Sequence, residues 1–126
     1  MRYLLDTTVL IDYVRGKASA VELVLSLFSE PNDLYVCDAV VTESLSKGPD
    51  EEIVMIDALL RPLEYVSTSP DAARWAGASR RALGRTSPRR LGDSIVAGVA
   101  WSLEATVVTR NRKDFEIQGV PVLAYE

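Results

Sequence analysis

The chain has 126 residues, the size of one domain, and no repeat, low-complexity run or linker divides it, so residues 1–126 are read as a single unit. Hydrophobic residues make up 48% and charged residues 25%, the balance of a folded globular protein rather than a disordered one. Fourteen Lys and Arg against 18 Asp and Glu give a net charge of −4, and there is no His. Bulk positive charge is thereby disfavoured as a means of holding nucleic acid, a local basic patch staying open, and His general bases, Ser-His-Asp or Cys-His catalysis and most zinc sites are excluded as chemistry.

Tyr3-Leu4-Leu5 is a short apolar run that fits a buried strand, and Asp6 cuts it short. A signal peptide needs an apolar stretch of about 7–15 residues, so none is read here. Asp6, Thr7 or Thr8 can cap a helix over Val9 to Arg15, closed by Gly16. Ala18 to Phe28 is a second helix, apolar on more than one face, and so either deeply buried or partly covered by another chain. Pro31-Asn32-Asp33 makes a turn into a strand over Leu34 to Cys37. Cys37 has no partner for an intrachain disulfide, which fits a reducing compartment and a small buried residue. A helix from Ala39 to Ser46 ends at Gly48-Pro49. Asp50-Glu51-Glu52 then place acids in the first turn of a helix reaching Leu60.

Leu63 to Val66 is a short strand. Ser69, as cap, and Pro70, at the first position, open a long helix to about Leu83. Gly92-Asp93 opens a nearly all-apolar helix over Ser94 to Leu103, too short to cross a membrane, which takes about 20 apolar residues. Thr106-Val107-Val108 and Val120 to Ala124 are the last strands. Strands alternating with helices predict a parallel sheet covered on both faces, with the ligand edge at the carboxyl ends of the strands. The cytoplasm is the expected location.

Acids recur at those ends. Asp6 follows the first strand, and Thr109, Asn111 and Asp114 follow Val107-Val108. Asp93 starts an apolar helix, and Glu43 lies within the apolar run Ala39 to Leu45. Taken singly, Asp6 and Asp93 read as helix caps, Glu43 as a solvated helix residue, and Thr109, Asn111 and Asp114 as turn residues. Brought together, such carboxylates would repel and raise one another's pKa unless a cation neutralised them. Oxygen donors without His or thiolate suit Mg2+ or Mn2+. That ion polarises a phosphate and acidifies a bound water, so hydrolysis of a phosphodiester needs no side-chain base.

Charge is unevenly divided. Residues 1–72 carry 5 basic and 13 acidic side chains, a net of −8, and residues 73–126 carry 9 and 5, a net of +4. Arg80, Arg81, Arg85, Arg89 and Arg90 lie in a stretch without an acid between Asp71 and Asp93. They read as a solvated face, as a phosphate-binding flank for RNA, or as a docking surface for an acidic partner segment. Trp75 and Trp101, at helical positions, read first as core and second as platforms for bases.

Asp6-Thr7-Thr8-Val9-Leu10-Ile11-Asp12-Tyr13 resembles the opening motif of PIN-domain ribonucleases, and most of all the VapC-type toxins of toxin–antitoxin pairs. Val41 to Leu45, Gly92 to Ala97 and Val107 to Phe115 match later blocks in the same order, so the resemblance covers nearly the whole chain. It implies a three-layer α/β/α fold around a five-stranded, mostly parallel sheet. It also implies cleavage of single-stranded or looped RNA with Mg2+ or Mn2+. Asp6, Glu43 and Asp93 would be the metal-site acids, with Asp6 and Asp93 the direct ligands and Thr8 and Thr109 supporting hydroxyls. Many relatives carry Asp where this chain has Asn111, and Asp114 lies three residues on. That departure favours one tightly held ion, with a second only in the RNA complex. The resemblance further implies a homodimer silenced by a VapB-like antitoxin. A catalytically inactive RNA- or protein-binding module of the same fold is the rival reading, and a DNA nuclease shares the metal chemistry. A phosphoacceptor receiver domain fits poorly, because only Asp6 follows the first strand.

Overall fold

The computed structural model describes residues 1–126. Five strands form one sheet: β1 (Arg2–Leu5), β2 (Asp33–Cys37), β3 (Glu64–Val66), β4 (Thr106–Thr109) and β5 (Val122–Ala124). Their order is β3-β2-β1-β4-β5, and every neighbouring pair is parallel. Seven helices connect them: α1 (Thr7–Val14), α2 (Ala18–Ser29), α3 (Asp38–Ser44), α4 (Asp50–Leu60), α5 (Pro70–Leu83), α6 (Leu91–Leu103) and α7 (Arg112–Glu116).

The central strands are apolar on both faces, which only a sheet covered twice can bury. Leu4, Leu5, Val107 and Val108 are wholly inaccessible to solvent. Right-handed crossovers place the helices that run β1 to β2 to β3 on one face and those that run β3 to β4 to β5 on the other. The packing agrees: α1 lies against α2, α3 and α4, and α6 lies against α5 and α7. The three-layer α/β/α expectation therefore holds, with the sheet entirely parallel.

The chain leaves β1 toward β2 on one side and returns beside β1 as β4 on the other. Neighbouring loops at the carboxyl ends of β1 and β4 thus diverge to opposite faces and leave a crevice between them. Asp6 follows β1 and Thr109 ends β4, and the Asp6 amide donates to the Val108 carbonyl at 3.0 Å.

Several expectations shift in detail. Helix α1 starts at Thr7, not Val9, and α6 starts at Leu91, so Asp93 is a first-turn acid rather than the cap. Ser69 does cap α5, accepting from the Ala72 amide at 3.1 Å, with Pro70 at the first position. The short helix α7 and a 3-10 turn at Gly84–Thr86 are additions. Helix α2 buries Ala20, Val24 and Leu27 and leaves Leu25 and Phe28 in solvent, so it is not deeply buried. Cys37 is buried and free. No helix is long and apolar enough to cross a membrane.

Candidate active site

A cleft of about 910 Å3 opens at the carboxyl edge of the sheet. Glu43, Asp93, Asp114, Asn111 and Thr8 all line it. Glu43, Ser46 and Lys47 at and just after the end of α3, the start of α6, the start of α7 and one face of α1 therefore converge at the β1–β4 crevice. A smaller pocket of about 250 Å3, beside Leu27, Phe28 and Pro62, gathers none of these acids.

Asp6 lies beneath the cleft and is only 3% exposed. It occupies the cap position of α1 yet makes no capping bond. Its Oδ2 instead accepts from the hydroxyls of Thr109 at 2.9 Å and Thr8 at 3.2 Å. Burial raises the Asp6 pKa, the two hydroxyls oppose that rise, and the charge of Glu43 adds to it. Thr109, itself fully buried, accepts from the Asn111 amide at 3.0 Å, and the Arg110 amide donates to Thr8 Oγ1 at 3.1 Å. The two threonines thus tie the turn after β4 to the start of α1.

Asp93 is pushed up to about 7 by burial first, then by Asp6, Asp114 and Glu43, with Arg90 opposing. Three other acids acting on one carboxyl is the repulsion expected of a cluster assembled for a cation. Asp38 shows that position alone does not produce this. It follows β2 as Asp6 follows β1, and burial raises it, but the Thr68 hydroxyl at 2.7 Å and the Thr68 amide at 3.0 Å hold it below the usual carboxylate range. Asp38 joins strand ends as a stabilised carboxylate, whereas Asp6 and Asp93 are pushed toward their protonated forms.

No three acids converge tightly enough to cage an ion by themselves. The donors gathered here are carboxylate, amide and hydroxyl oxygens, the chemistry that suits a hard dication. Gly92 makes room for Glu43, since a Cβ there would stand 3.3 Å from its Oε2. Gln118, buried, donates from Nε2 to the Asp114 carbonyl at 2.7 Å and the Asp93 carbonyl at 3.3 Å, fixing the two acid-bearing segments together. Asn111 precedes α7 and makes no side-chain capping bond.

The arginine stretch divides. Arg89 and Arg90 line the cleft, and Arg90 pairs with Glu43 at 3.2 Å. Arg80 does not serve as an open phosphate contact: its Nη1 donates to the Pro88 carbonyl and the Ser94 hydroxyl at 3.0 and 2.8 Å, holding the loop before α6. Arg81 and Arg85 are exposed but outside the cleft lining. Trp75 and Trp101 stack on each other, centroids 5.8 Å apart, also away from the cleft. The cleft also contains residues not singled out from sequence: Arg15, Lys47, Asp12 and Arg110. Arg15, Asp12 and Thr8 recur at helical spacing along α1, and that periodicity was the available signal.

Fold and site together define an α/β protein with an acidic crevice at its topological switch point. Residues 3–119 match the PIN domain, and the chain belongs to the PIN-domain family. It is 26% identical over 114 residues to the ribonuclease VapC19 of Mycobacterium tuberculosis, covering 89% of this chain and 90% of that one. Its fold matches VapBC2 from Rickettsia felis, solved bound to a promoter DNA fragment, with a TM-score of 0.85, 22% identity and full coverage of both chains. It also matches DNA-bound VapBC from Salmonella typhimurium, with a TM-score of 0.80, 24% identity and 98% coverage of each.

Proposed function

We propose that this protein is a metal-dependent endoribonuclease and the toxin of a VapBC-type pair, inhibited by a cognate VapB-like antitoxin. The observation that carries the reading is the convergence of Glu43, Asp93 and Asp114 on one cleft at the sheet edge, with Asp6 held beneath it by Thr8 and Thr109. PIN-family membership, the likeness to a ribonuclease and the likeness to toxin–antitoxin assemblies support it. Mg2+ or Mn2+ is the ion the all-oxygen donor set suits, held by Asp6 and Asp93. When bound, it supplies Lewis-acid polarisation of the phosphodiester and acidifies water. Glu43 and Asp114 would accept hydrogen bonds from water at the site, while Thr8 and Thr109 hold Asp6 in place, with Asn111 finishing the turn. Arg89 and Arg90 contact RNA phosphates or the antitoxin. A homodimer in the cytoplasm completes the proposal.

Cleavage of RNA should appear on adding Mn2+ or Mg2+ to metal-free protein and vanish with chelator. Asp6→Asn and Asp93→Asn should each lower the rate more than roughly 100-fold, beyond the 10–100-fold typical of residues that only orient a ligand. Gel assays on folded variants check this. Cleavage indifferent to chelator, or Asp6→Asn cutting as fast as the parent, refutes the assignment.

A further inference from the structure

Arg110 is the first residue after β4, and its amide is fixed on Thr8. Its side chain lines the cleft and is 48% exposed. One nitrogen, Nη1, donates to both oxygens of Asp12, at 3.1 and 3.0 Å. The Asp12 side chain is 10% exposed, and its Oδ2 also accepts from the Tyr125 hydroxyl at 2.7 Å. Asp12 lies one turn after Thr8 on α1, and Tyr125 comes from the strand end after β5. Helix α1 thus anchors one corner of the guanidinium directly, and the chain after β5 steadies that anchor through Asp12. Nε and Nη2 have no acceptor within the protein.

The other cleft cations are placed differently. Arg15 pairs with Glu52 at an exposed position, and Arg90 pairs with half-exposed Glu43. Arg89 and Lys47 are exposed and make no ion pair. Arg110 alone is pinned by a buried acid while keeping donors free. A planar donor fork with its rotamer already fixed matches a phosphate at low ordering cost. It also answers a problem the site poses: a polyanion must be held beside carboxylates that repel it.

We propose that Arg110 grips a backbone phosphate of single-stranded RNA beside Asp6 and Asp93, with Asp12 and Tyr125 as the positioning residues that fix it. This rests on the ribonuclease reading. A phosphate contact is visible in the salt dependence of binding, because each one lost removes about 0.7 from the slope of log K against log salt on single strands. Because Arg110→Met also bares the Asp12 charge, the charge-neutral double Asp12→Asn/Arg110→Met is decisive: a purely structural role leaves its slope at the parent value.

The experiment measures fluorescence-anisotropy binding of a labelled, mixed-sequence single-stranded RNA to the full chain in excess chelator, over a salt series. Arg110→Met should bind about tenfold more weakly, with the slope shallower by about 0.7. Arg110→Lys keeps the charge and should keep the parent slope. The double variant Asp12→Asn/Arg110→Met removes both members of the buried pair. It should show the same slope loss. Tyr125→Phe should weaken binding several-fold with no change of slope, and parental affinity in that variant overturns the positioning role. An unchanged slope for the Arg110→Met and double variants, in a parent that cleaves RNA, overturns the phosphate contact and leaves the nuclease reading standing. A parent that neither binds nor cleaves RNA overturns both.

Discussion

Thr109 does three things with one hydroxyl. It donates to Asp6 Oδ2 at 2.9 Å, accepts from the Asn111 amide at 3.0 Å and lies 3.3 Å from the Thr8 hydroxyl. Its removal leaves a buried carboxylate and a backbone amide short of partners. Thr109→Val should therefore cost about 1–3 kcal/mol despite its near-identical shape, and Thr109→Ser should restore most of that. Urea unfolding of metal-free protein distinguishes them, and parental stability in the valine variant would mean water replaces the hydroxyl without loss. Asp6, Glu43 and Asp93 were visible in the sequence as acids at a strand end or beside apolar runs. Singly they read as caps or solvated residues, and only their joint placement and the family resemblance grouped them. Asp114, within a polar stretch, had no local signal. The Asp12–Arg110–Tyr125 group was not legible. Its members lie 98 and 113 residues apart, and no local pattern carries a contact that only the closed sheet creates.

At the level of elements, the pair α5 and α6 rests on small residues. Ala72 and Ala76 of α5 face Gly98 of α6, and a Cβ on Gly98 would collide with the Ala72 carbonyl oxygen. Backbone on one side and a helix on the other leave no flexible side chain to yield. Gly98→Ala gains helix propensity yet should destabilise the fold by about 1–3 kcal/mol through overpacking, read from the urea midpoint at constant slope. A stabilised variant would show that α5 shifts freely. The same pair explains where sequence patterns succeeded and where they stopped. Ser69-Pro70 marked the α5 start because cap and first-turn chemistry are local. The α6 start at Leu91 went unmarked because Arg90 supplies no side-chain cap. Five-residue α7 is too short for a 3.6-residue period to register.

Across the whole molecule, the parallel sheet gathers charge that the fold cannot itself neutralise, and stability should report it. Asp93 titrates near 7 in the fold, from burial first and then from Asp6, Asp114 and Glu43, and Asp6 is raised for similar reasons. In the unfolded chain both titrate near 4. Between those values the folded state retains protons that the unfolded state has released, so unfolding sheds protons and metal-free stability falls as pH rises from about 4 to about 7. A dication should reverse the trend. On the proposed reading it would bind the deprotonated acids of the folded state alone, would add about 2.7 kcal/mol at a hundredfold excess over its dissociation constant, and would compete with protons below pH 7. Thermal melts in chelator should therefore drop from pH 5 to pH 7, while the rise on adding Mn2+ should be small at pH 5 and larger at pH 7.5. Asp93→Asn should flatten the first curve and shrink the second effect. A metal-free melting temperature that climbs over this range, or a Mn2+ increment equal at both pH values, would mean that the carboxylates at the β1–β4 crevice do not share a cation.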